Sequence, residues 1–350
     1  MRNIFSYGGV IGLASLTGVV FAFGFSTAAN QLADNLISPK IFVYQGPVVI
    51  TQVATPVVVL PTPKSETTLT FVGDIMLDRG VATSVKNKGG GDYSWLFTNL
   101  PPLNKADILL SNLEGPVSDQ GVDRHNLYSF RMNPEGLLAL RQTGFDVLQI
   151  ANNHIGDWGL PAFSDTLSRL ASAGLAAIGG GNTKAEASAT TIIEKHGVKI
   201  GFVAATDVGP EWLAATATKP GIILASDPEW PVMIEAAAKQ VDILVVGYHF
   251  GDEYQKDPSP RQQTLAHLAI DRGAKLVIGT HPHVVEPVEE YHGGLIAYSL
   301  GNFIFDQAFS GDTMSGLVLT VTLQDKDIIG VKEQKVLLDQ NFKPTLVDVE

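Results

Sequence analysis

The amino-acid sequence predicts an α/β protein, on three observations. Short apolar runs alternate with segments of helical period through most of the chain. The tail changes to β-prone alternation, and polar residues able to bind or catalyse follow one apolar run after another, where α/β proteins place their ligands.

The first run, 69–72, ends at Gly73 and Asp74 and reads as a buried strand. Further buried strands are expected at 108–110, 147–150, 200–204, 243–246 and 276–278, each too short and too uniformly apolar for a helix. Helices are expected at 134–142, 160–173, 228–239 and 261–271. The first and third of these open on proline, whose fixed φ suits a first helical turn. Beyond Gly316 the segments 318–323, 328–335 and 345–349 are expected to add antiparallel strands. The glycine triplets at 89–91 and 179–181 lack the Lys and Ser/Thr of a phosphate loop and read as turns.

The N-terminal part has another character. Residues 8–25 carry no charge and would span about 27 Å as a helix at roughly 1.5 Å per residue, nearly a bilayer core. Small residues at 26–29 suit a signal-peptidase site, so 1–29 reads as a signal peptide or an uncleaved membrane anchor. Residues 30–66 form a Pro/Val-rich linker without helical period, leaving 67–350 as the catalytic-type domain. The expected location is the cell membrane, single-pass with the domain outside the cytoplasm, or secretion. With 36 acidic against 24 basic residues and a net charge of -12, no basic cluster invites nucleic acid. No cysteine occurs, so any metal must be held by His, Asp, Glu or Asn.

Residues of that kind stand at five run ends: Asp74 in FVGDIML, Asn112 and Glu114 in SNLEGP, and Asn152, Asn153 and His154 in ANNHIGDWG. His249, Asp252 and Glu253 follow in GYHFGDEY, then His281 and His283 in GTHPHVVEP. Singly, each has a plain explanation as a turn, a cap or a core histidine. Together, five strand ends offering only oxygen and nitrogen donors point to a metal site. An extended segment would turn His281 and His283, either side of Pro282, to one face. Arg131 in SFRMNP is a candidate clamp for a carboxylate or phosphate, with a surface ion pair as the plainer alternative.

These motifs, with YSLGNFIFD, appear in order over about 69–306 and resemble the CapA (poly-γ-glutamate capsule synthesis) family, itself related to calcineurin-like metallophosphatases. The resemblance implies a four-layer αββα sandwich and one or two divalent ions, with Mn, Fe and Zn all suiting mixed N and O ligands. Motif by motif it assigns Asp74 and His283 to one metal and Asn153, His249 and His281 to the other, with Glu114 at the bridging position. His154 becomes the acid or base, Asp157 its orienting carboxylate, and Glu253 and Asn302 substrate-binding residues beside Arg131. Two positions depart from the phosphatase pattern: Met76 stands where a histidine is usual, and Glu114 where an Asp bridges.

The expected function is an extracytoplasmic metal-dependent hydrolase or transferase acting on an anionic polymer or peptide, with an amide as the first bond to try and a phosphoester equally suited chemically. The competing expectation is a membrane-tethered, non-catalytic part of a capsule polymer synthesis or export assembly, in contact with a membrane synthase. A secreted phosphoesterase is a third.

Overall fold

Apolar runs become two β-sheets in the computed structural model, which describes residues 66–348. The apolar run at 8–25 and the linker up to residue 65 lie outside the described residues. Among the described residues no helix is long and apolar enough to cross a membrane.

The first half alternates β1 (Glu66–Ile75), α1 (Arg79–Lys88), β2 (Ile108–Leu113), α2 (Glu135–Thr143), β3 (Val147–Gln149), α3 (Gly159–Ser172) and β4 (Ala176–Ile178). There follow β5 (Gly180–Gly181), α4 (Lys184–Ala187), β6 (Thr191–Lys195), β7 (Val198–Thr206), β8 (Gly221–Ile222), α5 (Trp230–Ala238), β9 (Ile243–His249) and α6 (Pro260–Asp271). The chain closes with β10 (Leu276–Thr280), β11 (Val288–Tyr291), β12 (Gly294–Ala297), β13 (Asn302–Ile304), β14 (Ser315–Gln324), β15 (Asp327–Leu338) and β16 (Pro344–Asp348).

One sheet runs β16-β15-β14-β1-β2-β3-β4, with β13 beside the end of β1. Its β1 to β4 are parallel, and the tail strands join antiparallel to β1 through β14. The other runs β11-β12-β10-β9-β7-β6, parallel in its four middle strands and antiparallel at both edges. The second glycine triplet lies partly in β5, which pairs with β8 as a separate ribbon.

Side-chain alternation sorts the layers. In β9, Ile243 and Val245 join the large core that also holds Leu69, Leu110 and Val147 of the first sheet. Leu244, Val246 and Tyr248 point the other way, onto Trp230 and Ile234 of α5 and Leu265 and Ala269 of α6. α2 and α3 are the crossovers of the parallel pairs β2–β3 and β3–β4, so they lie against that sheet. The result is helices outside and sheets inside, an αββα sandwich. Each fully buried branched side chain in it contributes about 1.5–3 kcal/mol relative to exposure. The sheets come so close that a Cβ on Gly247 would lie 2.1 Å from Gln149 Oε1 of the opposite sheet.

Local chemistry sets the helix ends. α6 starts with a reciprocal cap, in which Ser259 Oγ accepts from Gln262 N and Gln262 Oε1 accepts from Ser259 N, followed by Pro260. α5 begins at Trp230 instead of 228, because the Asp227 carboxylate accepts from Glu229 N and holds 227–229 in a turn.

Candidate metal centre

His249 has the same parity in β9 as Ile243 and Val245, so it faces the space between the sheets. Its neighbours across the ladder are Thr206 of β7 and Thr280 of β10. Thr280 Oγ1 donates to Tyr248 O at 3.2 Å and therefore accepts from His249 Nδ1 at 3.0 Å. That bond fixes the tautomer and leaves Nε2 as an acceptor, 2.8 Å from Asn153 Oδ1. Burial, with His281 and His283 nearby, holds the His249 pKa well below its ordinary value. Two acceptors side by side next to a neutral ring form an arrangement that a shared cation resolves.

Asp74 comes from the end of β1, where the β1–β2 register slips between Phe71 and Asp74. Gly73 sits in that slip, and a Cβ there would lie 1.9 Å from Gly301 O. The Asp74 carboxylate is fully buried; Oδ1 accepts from Asn112 Nδ2 at 2.8 Å and Oδ2 from His281 N at 3.3 Å. Asn112 Nδ2 also reaches Glu114 Oε2 at 3.3 Å, tying the two acids together. Burial, with Asp74 and Glu253 adding, raises the Glu114 pKa well above the ordinary carboxylate value, against the opposing pull of His283.

His281 and His283 do not lie on an extended segment, the geometry expected from their spacing. They take φ of +101° and +59°, so the chain turns left-handed on both sides of Pro282. Left-handed backbone at a non-glycine residue costs on the order of 1–3 kcal/mol each. The turns put the rings 6.1 Å apart, with His281 4.8 Å from the His249 ring. His283 Nδ1 lies 3.4 Å from Asp74 Oδ2 and Nε2 lies 3.6 Å from Glu114 Oε1. Burial lowers the His283 pKa, but Glu114, Asp74 and Asn302 outweigh it and push it up to about 9. Burial first, then His283, lowers His281 to about 3.

Asp74, Glu114, Asn153, His249, His281 and His283 are thus linked by a chain of direct side-chain contacts. Asp74, Glu114 and His249 each offer a donor atom within 4.8 Å of the other two. Glu114 Oε1 and His281 Nδ1 are buried without a hydrogen-bond partner, a costly condition. Among the described residues no Lys or Arg pairs with either buried carboxylate. A divalent ion fits this donor set, supplying the positive charge and the missing partners at once. Met76 adds no donor to the cluster: it is buried, and its thioether accepts from Asp78 N at 3.1 Å.

His154 stands beside the cluster on the loop after β3. Asn152 ties that loop down, since its Oδ1 accepts from His154 N and Ile155 N while its Nδ2 donates to Asn112 Oδ1 and Leu113 O. His154 Nδ1 lies 2.8 Å from Asp157 Oδ2, and its ring packs 4.1 Å from Phe130. Asp157, fully buried, also accepts from Asn126 Nδ2 and Phe130 N. His154 lines two cavities that meet at this side chain.

Glu253 lines both cavities. Two residues assigned to substrate from the sequence lie elsewhere. Asn302 is buried behind His283: its Oδ1 contacts His283 Nδ1 at 3.0 Å, and its amide donates to Gln307 Oε1 and Thr313 O. Arg131 is stacked 3.6 Å over the Trp158 ring and lines a separate cavity with Asp78 and Lys86. The cation lining the cavity beside His283 is Arg79, ion-paired with Asp306 and 4.7 Å over Phe130. Sequence reasoning missed Arg79; its signal was its place five residues after Asp74, at the start of a helix with little apolar period.

The chain is thus of the class of αββα sandwiches that bury carboxylates and imidazoles at their strand ends, in an arrangement that a divalent ion fits. Residues 68–307 match the family model described as bacterial capsule synthesis protein PGA_cap, and the chain belongs to that family. It is 38% identical over 270 residues to the PGA biosynthesis protein CapA of Bacillus subtilis (strain 168), covering 73% of this chain and 70% of that one. The capsule biosynthesis protein CapA of Bacillus anthracis is 35% identical over 265 residues, covering 72% of this chain and 62% of that protein. Among solved structures, a novel phosphatase of Mycoplasma pneumoniae aligns with a TM-score of 0.48 at 11% identity over 78% of this chain and 94% of that one, a distant likeness of fold alone.

Proposed function

We propose that the chain is a metal-dependent hydrolase or transferase acting outside the cytoplasm on an anionic chain of the poly-γ-glutamate type, breaking or exchanging an amide. The observation that carries this reading is the buried cluster with its two unpartnered donor atoms beside a cavity-lining histidine. Asp74, Glu114, Asn153, His249, His281 and His283 would hold the ion or ions. When bound, a divalent ion supplies Lewis-acid polarisation of the substrate oxygen and nucleophile activation at neutral pH.

The chain's own residues do the rest. Asp157 fixes the His154 ring by accepting at Nδ1, so that Nε2 can take or give the proton at the reacting group. Phe130 against the ring keeps bulk water from that side. Asn302 and Thr280 hold His283 and His249 in place, as hydrogen-bonded partners of ligands commonly do. The extracytoplasmic placement rests on the apolar N-terminal segment.

Met76 favours a second reading, in which the chain is a membrane-tethered, non-catalytic member of a polymer synthesis assembly alongside a membrane synthase. A buried thioether replaces a ligand, which leaves the centre one imidazole short of the phosphatase pattern.

The deciding experiment incubates the purified full-length chain with γ-linked glutamate oligomers, with and without chelator, beside His281→Ala. The hydrolase reading expects turnover that both treatments remove. Turnover indifferent to both sinks it, and absence of turnover in the metal-loaded protein favours the assembly role.

A further inference from the structure

Two cavities flank His154. One, of about 200 Å³, is walled by Arg79, Tyr128, Phe130, Tyr254 and Phe309. The other, of about 330 Å³, is walled by Asn126, Leu127, Val208, Pro210 and Trp212. Both share Tyr128, His154 and Glu253, so these three side chains are the ridge between them. A site for a terminal group needs one blind pocket, whereas this one continues past the proton-handling histidine in both directions.

A guanidinium laid over an aromatic ring lines the first half, and another borders the second, stacked on one of its walls without lining the cavity itself. Arg79 lies 4.7 Å over Phe130 in the first half, and Arg124 lies 3.9 Å over Trp212, a wall of the second. They differ in ion pairing. Arg79 shares its charge with Asp306, which it grips through Nε and Nη2, leaving Nη1 uncommitted. Arg124 has no carboxylate partner among the described residues. Its backbone is anchored by donating to Asp157 O at 2.9 Å, on the residue that orients His154. The close fit of the second half depends on Gly156, where a Cβ would lie 3.0 Å from the Trp212 ring.

We propose that the site is a groove open on both sides of His154 that takes an internal stretch of an anionic chain instead of its end. Arg79 and Arg124 each meet one anionic group, on opposite sides of the reacting bond. This deepens the function proposed above and rests on it for catalysis, but not for binding. Spaced anions along a chain are the shared chemistry; carboxylates of a γ-linked glutamate chain and phosphates of a linear polyphosphate are its two sources.

The test measures binding, so that no turnover is required. Fluorescently labelled γ-glutamate chains of two, four and eight residues, and linear polyphosphates of similar span, are titrated against the full-length chain by anisotropy. The proposal expects affinity to rise about tenfold or more from the shortest to the longest chain. Arg124→Gln should remove most of that rise and Arg124→Lys restore part of it, because the charge returns without the planar fork. Arg79→Gln should act in the same direction but less, since Asp306 already offsets half of the pair. Should Arg79→Gln fail to fold, Trp212→Ala, which removes the shelf under Arg124, supplies the second variant. Equal affinity for all lengths, or an Arg124→Gln protein that binds the longest chain like the parent, overturns the two-sided groove. If polyphosphates alone show the length dependence, the groove stands and the amide reading of the function falls.

Discussion

The two sheets contribute opposite chemistry to one site. The first supplies the carboxylates, Asp74 from β1 and Glu114 just past β2; the second supplies the imidazoles, His249 from β9 and His281 and His283 just past β10. Neither sheet holds a metal centre by itself. The anionic half lacks a counter-charge, and the imidazole half, being buried, resists taking a proton at His249 and His281. Their packing brings the halves into reach, so the core that stabilises the fold also assembles the site.

The largest expected effect comes from His154, a cluster neighbour that is not a proposed ligand. His154→Ala should lower turnover by about 10²–10⁴-fold while leaving bound metal unchanged, as expected for removal of a general acid or base. Metal loss together with activity would instead place His154 among the ligands. Next, Asn302→Ala frees His283 on the imidazole side, and metal affinity measured by competition with a chelator dye should fall by about 10–100-fold. An unchanged affinity would mean that His283 is held by the carboxylates alone.

Gly73→Ala strikes the carboxylate side through the backbone, since the added methyl would meet Gly301 O at 1.9 Å. Overpacking of this kind costs about 1–3 kcal/mol, read as a lowered urea midpoint, and should displace Asp74 as well. Ala at this position with full stability and full metal binding would show that the register slip has slack.

The smallest effect concerns Glu286, below the imidazole loop. Burial, with Asp252 and Asp257 adding, raises its pKa to about 7, while the bond from Gln262 Nε2 works the other way. The folded pKa is raised, so the contribution to stability is complete below the ordinary value of 4.5 and is lost as pH rises through about 7. Urea midpoints between those limits should therefore decline with pH, and Glu286→Gln should flatten the decline. A Glu286→Gln curve parallel to that of the parent would assign the slope to other groups.

Much of this was legible in the sequence. Apolar runs of three to five residues marked the six strands that carry or border the site, because strands buried on both faces need unbroken apolar sequence. Run ends then located the polar cluster. What stayed hidden has physical reasons. α1 has only Val81 and Val85 buried, too few to show a helical period. β12 and β13 are four and three residues long and gain their identity from pairing with β10 and with β1, the latter distant in the chain. The left-handed turns at His281 and His283 left no signal, since histidine tolerates positive φ more than most residues but adopts it only where the surrounding structure requires it. Arg131 was chosen for its position within a motif, yet it stacks on Trp158, while Arg79 reaches the site from the start of the unpredicted α1.

The central claim is that carboxylates of one sheet and imidazoles of the other jointly hold a metal ion. Elemental analysis of the full-length chain, purified without chelator and after loading with Mn, Fe or Zn, tests it most directly against Asp74→Ala and His249→Ala. The account predicts about one or two equivalents retained by the parent and loss in both variants, one from each sheet. A parent chain that takes up no metal from any of the three, or variants that retain as much as the parent, would contradict it.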